Sequence, residues 1–337
     1  MRRSLYAAGA VVAALALAAC GEKHDVQIPA GGSTPQSLSL MLDWFPNADH
    51  VGLYTALSDG YFRQAGLNVS VQVPSNVATP LQLVEAGKVD AAISYEPELL
   101  LARDKGAPLV AIAAIVQRPL TSIISVGSKH ITTLRKLRGK TVGDAGIPYQ
   151  HAYLDTILAQ AGVPVRTVRE INVGANLVPA MLSKRVDATI GGYWNYEAIQ
   201  LRQAGKRPNV IPVNDAGVPN YDELVVVVRE DEIAKNGNEL RRFVQALGRG
   251  YQAVRANPQA GVNALLTANP SLSSRLRSAS VRATLPAFFP AAGHPWGWMS
   301  GSEWSSYANW MLSHHLISHA ATTAGAETDQ LLAGQGP

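Results

Sequence analysis

Short apolar runs alternate with amphipathic stretches from residue 37 onward, a pattern that predicts alternating β-strands and α-helices. The run SLSLMLDW at 37–44 predicts a strand, and a helical segment at 52–64 follows it. The next predicted elements are a strand at 68–73, a helix at 80–86 and a strand at 89–93. Units of this β-α-β kind build parallel sheets that helices cover on both faces.

The same succession of elements recurs further along the chain. The stretch GKVDAAIS at 87–94 is echoed by KRVDATIG at 184–191, 97 positions later, and AGLNV at 65–69 by AGVPV at 161–165, 96 positions later. The second set of predicted elements comprises strands at 140–142, 165–171 and 186–190 and helices at 149–160 and 175–183. The repeat therefore predicts an α/β protein with two parallel-sheet lobes of one architecture.

Four polar and aromatic segments directly follow predicted strands. They are DWFPNADH (43–50), SYEPE (94–98), GDAGIPYQ (143–150) and GGYWNYE (191–197). In parallel α/β sheets, ligands bind outside the carboxyl ends of the strands. We therefore expect these four segments to face one another across a cleft between the lobes.

Two further apolar stretches are suited to connect the lobes. The stretch VAIAAIVQRPLTSIIS at 110–125 predicts an outward crossing, and ELVVVV at 223–228 predicts the return. Lobe 1 is then expected to comprise residues 37–122 with 223–337, and lobe 2 residues 123–222. A double crossing forms a two-strand hinge, about which lobes open and close around a ligand.

The amino terminus has the features of an export signal. A positively charged start, MRR, precedes an uncharged, alanine-rich run that is too short to span a bilayer as a helix. The letters LAACG that follow resemble the lipobox of bacterial lipoproteins, whose cysteine carries lipid. Residues 1–19 are therefore predicted to be a signal peptide, and residues 20–36 a lipidated Cys20 with a flexible tether. We expect export by general secretion rather than the twin-arginine route, and lipid anchoring at the outer face of the cell membrane.

Charge and cysteine content narrow the class of protein. Cys20 is the single cysteine, so the chain cannot form an internal disulfide. Loss of residues 1–19 would remove two arginines and no acid, changing the net charge from +4 to 27 − 25 = +2. This small charge, without a basic stripe interleaved with aromatic residues, argues against nucleic acid as a partner.

The segment GGYWNYE places three aromatic rings and one carboxylate within five residues, although aromatic residues make up 7% of the chain. A flat heteroaromatic ligand needs rings for its faces and oriented polar groups for its edge. Glu197 follows Tyr193 by four positions, so both can share one side of a helical turn. We interpret the segment as a pocket wall in which Trp194 packs beneath the loop, and the place of Tyr196 stays open.

Three stretches resemble thiamine-precursor pyrimidine-binding lipoproteins, which take formylaminopyrimidine or hydroxymethylpyrimidine. They are LDWFPNADHVGLYTALSDGYFRQAGLNV (42–69), VEAGKVDAAISYEPELLLARDKGAP (84–108) and VDATIGGYWNYE (186–197). Those lipoproteins are solute-binding components of ABC importers, in a wider group with riboflavin, sulfonate and nitrate binders and yeast pyrimidine synthase. The resemblance implies a periplasmic-binding-protein type II fold and a monomer that works with an ABC permease and ATPase.

The resemblance also implies roles for individual residues. Trp44 and Tyr193 would contact or sandwich an aminopyrimidine ring, and Glu197 would accept hydrogen bonds from its amino group. Asn47 would be a polar contact with the ring edge or a ring substituent, and Tyr95 is a weaker candidate. It implies no cofactor.

Two alternatives remain. A binder of another flat heterocycle, or of an anion such as a sulfonate, belongs to the same class; an anion would call for Arg or Lys near the cleft, where Arg118 is the one clear candidate. A synthase-like enzyme would use pyridoxal phosphate through a lysine, whose place is taken here by Ser94, and Glu98 stands at the nearby histidine position. The sequence also lacks a GxSxG elbow, a P-loop and HExxH. We therefore expect a binding protein rather than an enzyme.

The carboxyl-terminal aromatic residues and histidines favour structural roles. Trp304, Tyr307 and Trp310 fall at helical spacing and predict a packing stripe. His315 and His319 lie four positions apart, but no third ligand is evident near them, so no metal site is predicted.

Overall fold

The computed structural model describes residues 35–319 and 324–334. The predicted signal peptide, the lipidation site at Cys20 and the tether up to residue 34 lie outside the described residues. Within the described residues, no helix combines the length and the apolar character that a membrane crossing requires.

The described part of the chain contains ten strands, which form two five-stranded sheets. The strands are Gln36–Met41 (β1), Leu67–Gln72 (β2), Ala91–Ser94 (β3), Leu109–Val116 (β4), Thr121–Val126 (β5), Thr141–Asp144 (β6), Arg169–Asn172 (β7), Ala188–Tyr193 (β8), Pro208–Pro212 (β9) and Leu224–Arg229 (β10). The strand order is β2-β1-β3-β10-β4 in the first sheet and β7-β6-β8-β5-β9 in the second. Each sheet, with its helices, forms one lobe.

Eleven α-helices belong to the described residues. They are Val51–Ser58 (α1), Tyr61–Gln64 (α2), Pro80–Glu85 (α3), Glu96–Asp104 (α4), Pro148–Gln160 (α5), Leu177–Leu182 (α6), Glu197–Gln203 (α7), Glu230–Ala256 (α8), Pro258–Ala268 (α9), Ser274–Thr284 (α10) and Gly301–Ser313 (α11). The helix predicted at 52–64 divides into α1 and α2 because Gly60, with φ of 74°, adopts a left-handed conformation between them. The strand predicted at 165–171 begins later, because Val165–Thr167 forms a 3₁₀ turn.

The sheets of the two α/β lobes are mixed rather than wholly parallel. Strand β10 runs antiparallel to β3 and β4, and β5 runs antiparallel to β8 and β9. The parallel strands of each lobe end at the edge where the chain crosses. A strand that enters a lobe from that edge must therefore run in the opposite direction.

The internal repeat has a structural counterpart in two aspartates. Asp90 Oδ2 accepts a hydrogen bond from the Ser39 N–H at 2.7 Å, at the start of the first sheet. Asp187 Oδ2 accepts from the Thr141 N–H at 3.0 Å in the second sheet. Each aspartate, lying just before β3 or β8, is thus bonded to the neighbouring parallel strand, β1 or β6, so the repeated aspartate plays one role in both lobes.

Of the carboxyl-terminal helices, α8, α9 and α10 pack mainly on the first lobe, whereas α11 contacts Asp222 of the hinge and Tyr153 of the second lobe. Helices α8 and α9 pack against α1, and α10 packs against α9 and against the 3₁₀ turn Ala48–His50. Trp304, Tyr307 and Trp310 are buried, as the packing interpretation expects.

The hinge is organised around one buried carboxylate. The first crossing lies between β4 and β5, and the second lies just before β10. Glu223, in the second crossing, accepts hydrogen bonds from the N–H groups of Leu120 and Thr121 at 2.6 and 2.8 Å. The hydroxyl groups of Thr121 and Tyr221 donate to it as well, at 2.8 and 3.0 Å. One carboxylate therefore holds the two crossings together.

Candidate functional site

A cavity lies between the two lobes at the carboxyl ends of the parallel strands. The space between its walls, measured out to its mouth, is ≈ 400 Å³. The lining residues are Asp43, Trp44, Asn47, Asp49, Tyr95, Ala145, Ile147, Gln150, Leu177, Gly191, Tyr193, Tyr196 and Glu197. All of them except Leu177 lie in the four segments that the sequence predicts to border the cleft.

The loop after β1 is held in place by a network around Asp43. Asp43 Oδ1 lies 2.8 Å from His50 Nε2, and Asp43 Oδ2 accepts from the Tyr95 hydroxyl at 2.8 Å. The Asn47 N–H donates to His50 Nδ1 at 3.2 Å, which makes Nε2 the donor to Asp43. Asn47 Oδ1 caps the following turn by accepting from the Asp49 N–H at 2.7 Å. This network presents the half-buried Trp44 ring to the cavity.

The network modifies the expectations for Asn47 and Tyr95. Both residues line the cavity, but the side-chain oxygen Oδ1 of Asn47 and the hydroxyl of Tyr95 already form hydrogen bonds within the protein. Asn47 Nδ2 also donates to the Phe45 carbonyl at 3.2 Å. Tyr95 therefore presents chiefly its ring to the cavity. Asn47 keeps one side-chain N–H with which it can donate to a ligand.

The segment GGYWNYE turns from β8 into α7 at the opposite wall. Glu197 Oε2 accepts from the Tyr193 N–H at 2.7 Å, so the carboxyl group is fixed to the Tyr193 backbone. The Trp194 side chain points away, and its Nε1 donates to the Pro119 carbonyl at 3.0 Å. Trp194 therefore packs on the hinge, whereas Tyr193, Tyr196 and Glu197 line the cavity.

Glycine is required at the start of this segment. Gly191 has φ of +84°, and a Cβ placed there would come within 2.2 Å of Gln150 Nε2. Gln150 is buried, and its Oε1 accepts from the Ala145 N–H at 2.8 Å. The absence of a side chain at 191 thus leaves room for a polar amide in the cavity wall.

The cavity is acidic. Asp43, Asp49 and Glu197 line it, whereas the lining contains no Lys, Arg or His. Burial raises the pKa of Glu197 and that of Asp49 to about 7. Arg118, the cation that an anion-binding site would have used, is exposed and lines a separate groove beside the hinge.

All five predicted binding residues meet at this one cavity: Trp44, Asn47, Tyr95, Tyr193 and Glu197. Their contact with a ligand stays a prediction. Among the residues that sequence reasoning did not select, Asp43, Asp49 and Gln150 are the polar ones. Their position in the segments 43–50 and 143–150 indicated that these residues lie near the cleft. The sequence does not distinguish them from neighbours whose side chains face away from the cavity.

The position that a synthase lysine would occupy holds a serine–glutamate pair. Ser94 Oγ donates to Glu98 Oε2 at 2.9 Å, and both side chains are buried. Burial raises the pKa of Glu98 to about 7. Neither side chain has an amine that can form an imine, and no lysine lines the cavity. The residues of the described site therefore do not fit pyridoxal phosphate.

A surface cluster of possible metal ligands lies outside the cavity. One ligand atom each of His151, Asp155 and Glu170 lie within 4.8 Å of one another. The His151 side chain is 68% exposed and pairs with one carboxylate oxygen of Glu170, while the other oxygen, Oε1, is buried without a hydrogen-bond partner. His319, considered from the sequence, instead lies 3.1 Å from Asp104.

Comparison with known proteins agrees with this architecture. The chain is 34% identical over 283 residues to the formylaminopyrimidine-binding protein of Halalkalibacterium halodurans, which covers 83% of this chain and 86% of that protein. It is 24% identical over 251 residues to a 4-amino-5-hydroxymethyl-2-methylpyrimidine phosphate synthase of Saccharomyces cerevisiae, covering 71% and 73% of the two chains.

The fold is shared with solved binding proteins. The alkanesulfonate-binding protein of Xanthomonas axonopodis superimposes with a TM-score of 0.66 at 17% identity, over 88% of this chain and 99% of that one. The expected periplasmic-binding-protein fold is therefore confirmed. The family model described as NMT1/THI5 like matches residues 47–261, and the chain belongs to that family.

Proposed function

We propose that this protein is the solute-binding component of an ABC importer and that it captures an unphosphorylated aminopyrimidine precursor of thiamine in the cavity. The observation that carries the proposal is the chemistry of the lining. Aromatic rings from both lobes, Trp44 and Tyr193, stand beside the fixed carboxyl group of Glu197, and the lining has no cation. The binding specificity named for the Halalkalibacterium relative supports it.

Each part of such a ligand has a matching group. The two faces of the pyrimidine stack on the rings of Trp44 and Tyr193, and this stacking is favoured because it buries the aromatic faces away from water. The amino edge donates to Glu197, whose orientation is set by the Tyr193 N–H. A phosphate or sulfonate would instead enter a buried space lined by three acidic residues, with no cation in the lining to balance its charge.

A panel of ligands tests the proposal by calorimetric titration. It comprises 4-amino-5-hydroxymethyl-2-methylpyrimidine, its phosphate ester, the formylaminopyrimidine, riboflavin and an alkanesulfonate. We expect the two unphosphorylated aminopyrimidines to bind and the phosphate and sulfonate to fail. Tight binding of the sulfonate or of riboflavin, with no heat from the aminopyrimidines, would overturn the proposal.

Delivery to the membrane is the second part of the proposed function. Ligand stabilises the closed arrangement of lobe 1 (37–122 with 223–337) and lobe 2 (123–222), and the permease recognises that form. The protein is exported, acts as a monomer and is held at the outer face of the cell membrane by lipid on Cys20. It catalyses no reaction, a proposal that the Ser94–Glu98 pair supports.

Cys20→Ser is expected to abolish lipid attachment and to leave an uncleaved or unanchored protein, because the serine hydroxyl cannot replace the thiol that accepts lipid. Metabolic labelling with a fatty acid followed by gel autoradiography checks this. Label on the serine variant equal to that on the wild type would contradict the anchor.

The affinity for an aminopyrimidine is expected to fall above pH 7. Burial raises the pKa of Glu197 to about 7, so this carboxyl group is protonated below that pH and ionised above it. An aminopyrimidine edge offers an acceptor nitrogen beside an amino donor, and a protonated carboxyl offers the complementary pair. The complex holds one proton between the Glu197 carboxyl group and the ligand. Above pH 7 the free carboxyl group is ionised, so the protein must take up a proton when the ligand binds. The dissociation constant should rise by up to about tenfold per pH unit between pH 7 and 9.

Titrations in that pH range with two variants assign the effect. Glu197→Gln presents the same donor and acceptor without titrating, so its affinity should be independent of pH. Asp49→Asn removes the other lining carboxyl group, whose pKa is also raised to about 7 by burial. The affinity of this variant should keep the pH dependence of the wild type. If the pH dependence of the affinity persists in Glu197→Gln and vanishes in Asp49→Asn, the titrating group is Asp49 and the assignment to Glu197 is refuted.

A further inference from the structure

Asn195 reaches from one lobe into the other. It lies between β8 and α7 of the second lobe and is 0% exposed. Its Nδ2 donates to Asp49 Oδ1 at 2.8 Å and to Thr284 Oγ1 at 2.6 Å. Asp49 belongs to the turn that precedes α1, and Thr284 ends α10, which packs on that turn. The Asn195 side chain of GGYWNYE therefore bonds to the opposite lobe and does not line the cavity.

Tyr196 makes a second connection of this kind. Its hydroxyl accepts from Arg277 Nη1 at 2.7 Å, and the guanidinium carbon lies 4.8 Å from the centre of the Tyr196 ring. Arg277 is on α10 and is 5% exposed. The contact therefore combines a charged hydrogen bond with a cation–π interaction in a place from which water is largely excluded.

The two connections share one design. Each fastens a cavity-lining residue of one lobe to a buried residue of the other lobe that does not line the cavity. Asn195 fastens Asp49, and Arg277 fastens Tyr196. Neither connection can persist when the lobes separate, because its two halves then move apart.

We propose that Asn195 and Arg277 are positioning residues that hold the cavity closed, acting on the ligand through Asp49 and Tyr196 without touching it. The proposal rests on the proposed function, because it concerns how the same site retains its ligand. Only the closed form presents both walls of the cavity. The apparent affinity therefore equals the affinity of the closed form multiplied by its population. Weakening either connection lowers that population and speeds release.

The structure supplies a matched control. Gln203 Nε2, on α7, donates to the Arg275 carbonyl of α10 at 3.2 Å, so it also joins the two lobes. This bond is exposed, and neither residue lines the cavity. Gln203→Ala therefore removes an interlobe hydrogen bond without releasing a lining residue.

The test measures ligand release and lobe closure in Asn195→Ala, Arg277→Met and Gln203→Ala. Stopped-flow displacement of 4-amino-5-hydroxymethyl-2-methylpyrimidine gives the dissociation rate, and small-angle X-ray scattering gives the radius of gyration with and without ligand. We expect the first two variants to bind about tenfold more weakly or worse, since each loses a buried hydrogen bond between the lobes and leaves its partner unsatisfied. The loss should lie mainly in faster dissociation, with a more open ligand-free form. Gln203→Ala should match the wild type.

Tyr196→Phe guards against a failure to fold. It removes only the hydroxyl acceptor and keeps the ring, and it should also release ligand faster than the wild type while melting normally without ligand. Wild-type protein that binds no aminopyrimidine would refute the proposed function. If the wild type binds and the Asn195, Arg277 and Tyr196 variants release ligand no faster, the positioning role is refuted while the proposed function stands.

Discussion

Glu197→Ala is expected to weaken aminopyrimidine binding by about 1.5–3 kcal/mol, because the ligand loses two hydrogen bonds that are worth about 1 kcal/mol or somewhat more each. This corresponds to roughly a ten- to a hundredfold higher dissociation constant. The Glu197 carboxyl is anchored by the Tyr193 N–H at 2.7 Å and lines the cavity. Its loss would leave the amino edge of the ligand without an acceptor in a space that little water enters.

Calorimetric titration combined with thermal melts of ligand-free protein distinguishes binding from packing. Tyr193→Ala should also weaken binding because a stacking face is lost, and Tyr193→Phe should be milder because the ring remains. If the segment served only to pack the lobe, Tyr193→Ala would lower the melting temperature and Glu197→Ala would leave the affinity unchanged. That result would remove GGYWNYE from the binding site.

Glu223→Ala is expected to lower the free energy of unfolding by about 3 kcal/mol or more, because it strips the acceptor from several buried donors and each unsatisfied donor costs about 1–3 kcal/mol. Glu223 is fully buried and accepts from the N–H groups of Leu120 and Thr121 and from two hydroxyl groups. Removing the carboxylate leaves these buried donors unsatisfied, and each unsatisfied donor costs free energy. The hinge would lose the group that joins its two crossings.

Urea denaturation followed by tryptophan fluorescence measures this change. Asp231→Asn is the control, because Asp231 is a surface carboxylate in ion pairs with Arg229 and Lys235, 50% exposed. Its unfolding midpoint should stay close to that of the wild type. Equal midpoints for Glu223→Ala and Asp231→Asn would show that the hinge does not depend on Glu223.

The sequence alone determined most of the framework of this protein. Periodicity placed the predicted strands and helices of the two repeated units within a few residues, although it did not select β9, α4 or α7. The repeated VDA letters marked two lobes in which Asp90 and Asp187 play the same role. The rule that ligands bind beyond strand ends selected four segments, and these supply every lining residue of the cavity except Leu177. These features are local, since they depend on side chains close together in the chain and on one general property of parallel sheets.

Only the tertiary structure decided which side chains of those segments face the cavity and which face the other lobe. Asn195 bonds to Asp49 across 146 positions, and Glu223 bonds to Leu120 across 103. The antiparallel direction of β5 and β10 likewise follows from where the chain crosses between lobes. The letters around Asn195 resemble those of a pocket wall, and no local pattern records a partner that distant. Such pairs exist only once both lobes have folded and closed, because the closure itself brings their atoms within hydrogen-bonding distance.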